Sequence, residues 1–252
     1  KRSCTKKLAA CIEADGGRKY LVAHSDTQDK RGIDCAFLYD PIQLTAGYTT
    51  EAVIQKRNAT RDLLQVNFTL SGGETLVCIA NHWPSRLGGE AQSEPYRMMA
   101  AETLAYWMDR IPNYVGKDPH VLVMGDFNDE PFNRSLTDYA LSSHTLKKVT
   151  SRRNRKQYLY NLMWPLMGAS KGSHFYSGKP GMLDQILCSA ELARRGGLQI
   201  QPESVDVFSP KWLWRNSRAA EPRRFNRPSS KKGVDKKGFS DHFPITASLL
   251  LP

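Results

Sequence analysis

One short stretch of the chain concentrates groups that bind metals and phosphates. The apolar run VLVM (121–124) is followed at once by GDFNDE (125–130), which holds three acidic side chains and one amide. Asp126 and Asn128 are two residues apart, so in an extended segment both side chains point to the same face. Acidic groups this close repel one another unless a positive species lies among them. A carboxylate and an amide so placed can hold a metal-bound water or a phosphate oxygen.

Other reactive side chains also stand at the ends of apolar segments. His82 follows LVCIAN, Asp184 begins DQILCS, and Asp241 and His242 lie in GFSDHFP, just before the last apolar segment. Each has an ordinary structural explanation when taken alone, because Asp and Asn are common turn residues and a single histidine is usually a core or surface residue. Their joint occurrence at strand ends in one chain favours a shared site.

The hydrophobic periodicity predicts one mixed domain of helices and strands, with at least six strands. Leu64, Val66 and Phe68 alternate with polar residues, as in a half-buried strand. Pro95 fits the first turn of the strongest predicted helix. Residues 209–239, rich in Pro, Ser, Arg and Lys, are predicted to form a long loop. The predicted helices are 4–14, 94–111 and 133–142, and the predicted strands are 19–25, 33–40, 63–70, 75–83, 120–128, 182–189 and 243–251.

The bulk composition narrows the function classes. No window of the 252 residues approaches eighteen consecutive apolar positions, which excludes a membrane span, and no signal-peptide pattern is visible. A soluble protein is predicted, either cytoplasmic or secreted to the outside or the periplasm. The net charge of +11 favours a polyanionic partner. The five cysteines are widely spaced and indicate neither a disulfide framework nor a zinc site.

Four motifs together resemble a known family. NHWPSR (81–86), GDFND (125–129), LDQI (183–186) and SDH (240–242) occur in the order and at roughly the spacing of the endonuclease/exonuclease/phosphatase family, whose members include deoxyribonuclease I-like nucleases. The resemblance runs from about residue 19 to the C-terminus and is strongest to bacterial members. It implies an α+β fold, a four-layer sandwich in which two mixed β-sheets pack face to face with helices outside, formed by residues 1–252 as a single domain.

The resemblance also implies a chemistry and a catalytic set. Family members hydrolyse phosphoester bonds with a divalent metal, so Mg²⁺ is the expected cofactor, with Mn²⁺ or Ca²⁺ as alternatives. Asp126 would orient and help deprotonate the attacking water, and Asn128 would fix that water or the phosphate. His242 would stabilise the charge on phosphate or act as an acid or base. Asp184 would orient a histidine, and His82 would contact the scissile phosphate from the opposite side.

Further residues are expected to support this set. Asp241 is the expected metal ligand. Arg31, in RGID, is a candidate phosphate clamp because a guanidinium matches phosphate bidentately. Asn81 and Arg86 are further candidates for binding substrate.

One part of the family pattern is missing. Members begin with a strand that carries an Asn, then a helix, then a strand that carries a metal-binding Glu, often in QE. This chain instead begins at the predicted helix 4–14. We therefore expect that residues of the natural protein are absent before Lys1 and between about Ala14 and Lys19. If the strands are truly missing, the metal site lacks its main anionic ligand.

The leading functional hypothesis is a monomeric, metal-dependent phosphodiesterase, a nuclease acting on DNA or RNA. The alternatives are a phosphomonoesterase or sphingomyelinase-like phosphodiesterase, and an inactive nucleic-acid-binding scaffold that lacks the metal-binding Glu. Trp212 and Trp214 are either base-stacking residues or buried aromatics. No protein partner is evident. Basic residues expected to flank the site and follow a phosphate backbone are Arg152, Arg153, Arg155, Lys156, Lys231, Lys232, Lys236 and Lys237.

Overall fold

The computed structural model describes residues 2–155, 157–168, 170–216, 219–225 and 235–251. The helices are α1 (Arg2–Ala14), α2 (Glu90–Met108), α3 (Pro112–Val115), α4 (Leu146–Val149) and α5 (Ala190–Ala193). The strands are β1 (Leu21–His24), β2 (Ala36–Tyr39), β3 (Leu44–Ala52), β4 (Leu63–Leu70), β5 (Thr75–His82), β6 (His120–Asp126), β7 (Ser142–Ser143), β8 (Leu159–Asn161), β9 (His174–Tyr176), β10 (Lys179–Gly181), β11 (Asp184–Cys188), β12 (Gln199–Val207), β13 (Trp214–Asn216), β14 (Ala219–Pro222) and β15 (Ile245–Leu250).

The main sheet has seven strands in the order β3-β4-β5-β6-β11-β8-β7. Its centre is a parallel pair, β5 and β6, joined by a crossover through α2. Parallel neighbours end at the same edge of a sheet. Strand β11 runs antiparallel to β6 and therefore starts at that edge. The C-terminal ends of β5 and β6 and the first residue of β11 thus meet at one place.

The main sheet is covered on both faces. On one face, Val123 packs in a core with Leu104 of α2. On the other face, Phe68 shares a core with Ile200 and Val207 of β12. The β1–β2 and β12–β15 pairs supply this second strand layer, and α1 packs outside β1 and β2. The predicted α+β sandwich is confirmed. Within the described residues, the second layer consists of separate antiparallel pairs.

Several predicted elements have different boundaries or were missed. Helix α2 begins at Glu90 rather than at residue 94, so Pro95 lies inside the helix and not in its first turn. The predicted helix 133–142 is a single π-helical turn over Ser135–Tyr139. The predicted loop 209–239 contains β13 and β14. The sequence prediction also missed β3, β7, β8, β9, β10 and β12.

The remaining structural expectations concern cysteines, membrane spans and the start of the chain. All five cysteines are free, and Cys78 and Cys188 are buried as expected. Among the described residues, none of the helices combines the length and the hydrophobicity that a membrane span requires. Helix α1 ends in a turn in which the Gly17 amide donates to the Ile12 carbonyl. The expected omission of residues near this turn stays a prediction.

Candidate active site

Three strand ends and one loop bring the predicted catalytic side chains together. His82 ends β5 and pairs in register with Asp126, which ends β6. Asp184 begins β11 and pairs with Asp126 from the other side. Ser173 positions the loop that carries His242, the fourth side chain. Its hydroxyl accepts a hydrogen bond from the Asp184 amide, and its carbonyl oxygen accepts one from the Phe243 amide. That pairing sets His242 beside Asp184.

The four side chains contact one another directly. His82 Nε2 lies 3.4 Å from Asp126 Oδ2. His242 Nδ1 lies 2.6 Å from Asp184 Oδ2, and its Nε2 lies 4.0 Å from Asp126 Oδ2. The site therefore has two carboxylates at its centre with one imidazole on each side of Asp126.

Opposite electrostatic effects act on Asp126 and His242. Burial, together with the negative charge of Asp184, raises the pKa of Asp126 to about 6. Burial alone lowers the pKa of His242, but its hydrogen bond to Asp184 and the charges of the nearby carboxylates raise that pKa to about 9. At neutral pH, Asp126 is therefore an anion near its titration point, and His242 is a cation that donates its Nδ1 hydrogen to Asp184.

His82 differs from His242 although both touch Asp126. Burial, and next the positive charges of Arg61 and His242, lower the pKa of His82 to about 4. Arg61 is buried and holds the backbone here, because it donates to the carbonyl oxygens of His82 and Trp83 at 3.0 and 2.8 Å. His82 is consequently a neutral imidazole that can donate or accept one hydrogen bond at each ring nitrogen.

The GDFN sequence is explained by the backbone at the end of β6. Gly125 has a φ of 135°, and an added Cβ would lie 2.0 Å from the carbonyl oxygen of Asn81. Asn128 has a φ of 52°, a left-handed conformation that asparagine tolerates better than most residues. In this turn the Asn128 amide donates to Asp126 Oδ1 at 2.8 Å, and its side-chain amide donates to Asp126 Oδ2 at 3.1 Å. Asn128 thereby holds both oxygens of Asp126.

The donor set fits a divalent cation. One ligand atom from each of Asp126, Asp184 and His242 lies within 4.8 Å of the others. His242 has its Nδ1 engaged with Asp184 and is protonated at neutral pH, so the effective donors are carboxylate oxygens. A cation between the two carboxylates would also relieve the repulsion that raises the pKa of Asp126. Two carboxylates with room for waters are the usual protein contribution to a Mg²⁺ site.

Comparison with known proteins identifies the family. The model of the endonuclease/exonuclease/phosphatase family matches residues 11–250. The chain belongs to the endonuclease/exonuclease/phosphatase family. Members of this family are hydrolytic phosphoesterases. No curated protein matches the chain in sequence.

Solved structures show the same fold at low sequence identity. The mannosyl-6-phosphatase of Bacteroides thetaiotaomicron is 15% identical with a TM-score of 0.57, over 98% of this chain and 82% of that protein. A humanized TDP2 of D. rerio is 12% identical with a TM-score of 0.57, over 96% of this chain and 80% of its own. A functionally unknown conserved protein of Enterococcus faecalis V583 is 12% identical with a TM-score of 0.57, over 98% of this chain and 82% of that protein. Identities this low support the fold alone.

Asp241 and Arg31, which the family resemblance suggested as metal and phosphate ligands, lie beside the central cluster. Asp241 is exposed and is not part of the group formed by the two central carboxylates and His242. Arg31 forms a bidentate pair with Asp29, with its Nε 3.0 Å and its terminal nitrogen 2.7 Å from the two carboxylate oxygens. Asp29 also lies 3.7 Å from Arg61, which binds the His82 backbone. Their roles as ligands stay predictions.

Asn81 and Arg86 make contacts that position the loops of the site. Asn81 is buried and accepts a hydrogen bond from the indole of Trp83 at 3.0 Å. Arg86 donates to the carbonyl oxygen of Asn128 at 2.7 Å and to Asp129 at 3.1 Å. These contacts hold the turn that carries Asn128, and a role in binding substrate stays a prediction.

Besides Arg61, two residues near the site were not found from the sequence. The ring of His174 lies 4.7 Å from that of His242, and burial together with the charge of His242 lowers its pKa to about 4. Arg224 lies 3.4 Å from His174 Nε2 and donates to the carbonyl of Phe175 at 2.9 Å. His174 lies outside every predicted strand and Arg224 lies in the predicted loop, so neither carried a signal in the sequence pattern.

An exposed aromatic surface adjoins the cluster formed by His82, Asp126, Asp184 and His242. A cavity of about 300 Å³ is lined by Asp184, His242 and Phe239, among others. The ring of Phe239 lies 5.5 Å from that of Trp212, which in turn lies 6.2 Å from Phe208. Trp212 is 61% exposed. The alternative that Trp212 is a buried aromatic is therefore wrong.

The basic residues divide between the two ends of the sheet. Arg155 pairs with Asp118 at 3.3 Å and with Glu191 at 3.4 Å. Asp118 precedes β6, so this run lies at the opposite end of that strand from Asp126 and does not flank the site as predicted. Lys237 precedes by two residues Phe239, which lines the cavity that contains His242, and its amide donates to Asp235. The predicted Lys156, Lys231 and Lys232 lie outside the described residues.

Proposed function

We propose that this chain is a metal-dependent phosphodiesterase that hydrolyses nucleic acid by in-line attack of a water molecule. One observation carries the proposal. The carboxylate of Asp126, with a pKa of about 6, lies 4.0 Å from the imidazolium of His242, with a pKa of about 9. A base and a cationic donor are thus available together at neutral pH, as general acid–base chemistry requires.

The side chains divide the work of the reaction. Asp126, fixed by the two Asn128 donors, accepts a proton from the attacking water. His242, held by Asp184, donates a hydrogen bond to a phosphate oxygen and offsets the negative charge that develops there. Neutral His82 contacts the phosphate from the other side of Asp126. Each role follows from the protonation state that burial and neighbouring charges impose.

The proposed cofactor is Mg²⁺, held by the oxygens of Asp126 and Asp184. When bound, it neutralises charge on the phosphate and lowers the pKa of a coordinated water. Mn²⁺ or Ca²⁺ would use the same oxygens. The family's metal-binding Glu has no counterpart in the described cluster of Asp126, Asp184 and His242. We therefore expect millimolar rather than micromolar metal to be needed.

Two features favour nucleic acid over a small phosphate ester. The chain carries a net charge of +11, which attracts a polyanion. The exposed rings of Trp212 and Phe239 adjoin the cavity that contains His242, and such rings stack on bases without regard to sequence. Arg224 adds a cation beside the same cavity. A phosphomonoesterase would need neither the aromatic surface nor the long-range positive field.

A substrate panel tests the proposal. Purified protein would be incubated with plasmid DNA, a lipid phosphodiester and a phosphate monoester, each with Mg²⁺ and with EDTA. Nicking that depends on Mg²⁺ supports the nuclease. Turnover of the monoester or the lipid alone would show that the protein is a phosphoesterase of a different class. DNA binding without turnover would indicate an inactive scaffold. Size-exclusion chromatography with light scattering tests the proposed monomer.

Two substitutions link that activity to the site. We expect Asp126→Ala and His242→Ala each to lower turnover at least about a hundredfold, the usual scale for a general acid or base. Asp138→Ala is the matched control, because Asp138 is exposed and its described contacts are local, an ion pair with Arg134 and a hydrogen bond from the hydroxyl of Thr137. Near-normal rates in both site variants would show that the catalytic groups are elsewhere.

A further inference from the structure

A second group of ligand-type side chains lies at the end of β1. His24, the last residue of that strand, has a side chain that is only 2% exposed. Its Nε2 is buried and has no hydrogen-bond partner in the described part of the chain. Leaving such an atom unsatisfied is destabilising, and most buried polar atoms in proteins have a partner. The orientation of His24 therefore points to a ligand that is neither protein backbone nor side chain.

The buried His24 nitrogen faces a carboxylate oxygen without bonding to it. Asp34 Oδ2 lies 3.4 Å from His24 Nε2, and the Asp34 side chain is 3% exposed. The other oxygen of Asp34 is already engaged, because it accepts hydrogen bonds from the amide and the hydroxyl of Thr27 at 3.0 and 2.8 Å. Oδ2 is thus left to face the imidazole.

A third donor completes the group. Asp26 offers a carboxylate on the open side, and one ligand atom from each of His24, Asp26 and Asp34 lies within 4.8 Å of the others. Around a tetrahedral cation with bonds of about 2.1 Å, neighbouring ligand atoms are about 3.4 Å apart. The separation between His24 Nε2 and Asp34 Oδ2 is the same as that distance. The pair is thus spaced like two ligands of one ion.

We propose that His24, Asp26 and Asp34 bind a divalent transition-metal cation, with Zn²⁺ as the best fit. An imidazole nitrogen with two carboxylates is a donor set that suits Zn²⁺, whereas Mg²⁺ prefers oxygen ligands only. Three protein ligands leave the fourth position to water. The site shares no residue with the Asp126, Asp184 and His242 cluster.

The position of the ion gives it a structural role. The ligands come from both ends of the segment 24–34, so a bound cation ties these ends together. That segment also carries Asp29 and Arg31, and Asp29 lies 3.7 Å from Arg61, which binds the backbone of His82. The ion therefore fixes the loop that places Arg31 at the edge of the catalytic cluster.

Zinc stoichiometry tests the proposal. Chelator-treated wild type, His24→Gln and the control His120→Gln would each be titrated with Zn²⁺ against a chromophoric chelator. His120 begins β6, at the opposite end of the strand from Asp126, and belongs to neither ligand group. We expect His24→Gln to bind one Zn²⁺ fewer than the other two proteins. Equal stoichiometry and affinity in all three proteins would overturn the proposal.

A second variant keeps the test decisive if His24→Gln fails to fold. Asp26 is exposed, so Asp26→Asn leaves the core intact. It should weaken Zn²⁺ binding at this site at least tenfold. It should also reduce the rise in melting temperature that a fixed excess of Zn²⁺ produces, since a ligand at free concentration L that binds only the folded state stabilises it by RT ln(1 + L/Kd), which falls as the Kd rises. An unchanged affinity in Asp26→Asn would refute the site. Neither readout depends on catalysis, so failure of the proposed nuclease activity would leave this test unaffected.

Discussion

Replacing the proposed catalytic base should stabilise the metal-free protein. Burial and the charge of Asp184 raise the pKa of Asp126 from its ordinary 3.8 to about 6. Above pH 6 the folded state must therefore hold a carboxylate that is more stable in the unfolded chain. Asp126→Asn removes that charge and keeps the shape of the side chain.

The magnitude follows from the pKa difference. A change from 3.8 to about 6 corresponds to roughly 3 kcal/mol of unfavourable free energy at pH 7. An asparagine places a donor where Asp126 Oδ2 accepts from Asn128, and a lost hydrogen bond costs about 1 kcal/mol. We expect a net gain of about 1–2 kcal/mol in the free energy of unfolding at pH 7.

The sign of the pH dependence is the sharper test. An acid whose pKa is raised on folding contributes a stabilisation that is present below pH 3.8 and is lost as the pH rises through 6. The difference between Asp126→Asn and wild type should therefore grow from pH 4 to pH 7. The lost hydrogen bond affects both pH values alike and cancels from this comparison. Urea unfolding in EDTA at both pH values measures it.

The control for this experiment is Asp138→Asn. Its carboxylate is exposed and pairs with Arg134, so the free energy of unfolding should change by less than about 0.5 kcal/mol at either pH. The reasoning is refuted if Asp126→Asn gains no stability over wild type between pH 4 and pH 7. Added Mg²⁺ should stabilise wild type more than the variant, because the variant has lost one carboxylate ligand.

Four further predictions rest on the same structure. His242→Gln should lower kcat about a hundredfold or more. In the wild type, kcat/KM should rise with pH up to about 6 and fall near pH 9. A bound cation should shift the rise to lower pH, because it stabilises the carboxylate of Asp126. Asp29→Asn should lower the free energy of unfolding in urea by about 1–2 kcal/mol at pH 7 but by little near pH 2. The reason is that the hydrogen bond from Arg31 lowers the pKa of Asp29 to about 2. The effect is modest because Arg31 is itself solvent-exposed. Trp212→Ala should weaken single-stranded DNA binding by about 1–3 kcal/mol in fluorescence anisotropy, with hydrolysis of a small phosphodiester unchanged.

The strand ends of the site were predictable because local pattern and chemistry coincide there. His82, Asp126 and Asp184 each interrupt or border an apolar run, so the positions of these runs placed them near the ends of β5, β6 and β11. The local pattern did not predict that these side chains converge. Their convergence depends on β5 and β6 being parallel neighbours with β11 antiparallel beside them, and only the family resemblance implied that arrangement.

The missed features lack a local signal. Strand β3, LTAGYTTEA, is the edge strand of the sheet and leaves many side chains exposed, so it has no clear hydrophobic alternation. Arg61 is buried in the contact with the backbone of His82 and Trp83, a contact between residues about twenty positions apart that no pattern encodes. The prediction that the basic run at Arg155 flanks the site was wrong for the same reason, since the position of this run depends on which end of β6 the loop reaches.

The charges of the catalytic cluster imply an order of binding. The charge of Asp184 helps to raise the pKa of Asp126, so two negative groups face each other at the centre of the cluster, while the cations His242 and Arg61 lie at its sides. The two central carboxylates attract a cation and repel a phosphodiester. A divalent ion offsets their charge and makes the cluster attractive to phosphate. We therefore expect the metal to bind first, so that DNA affinity measured with a nonhydrolysable phosphorothioate rises when Mg²⁺ is added, whereas simple screening by Mg²⁺ would lower it.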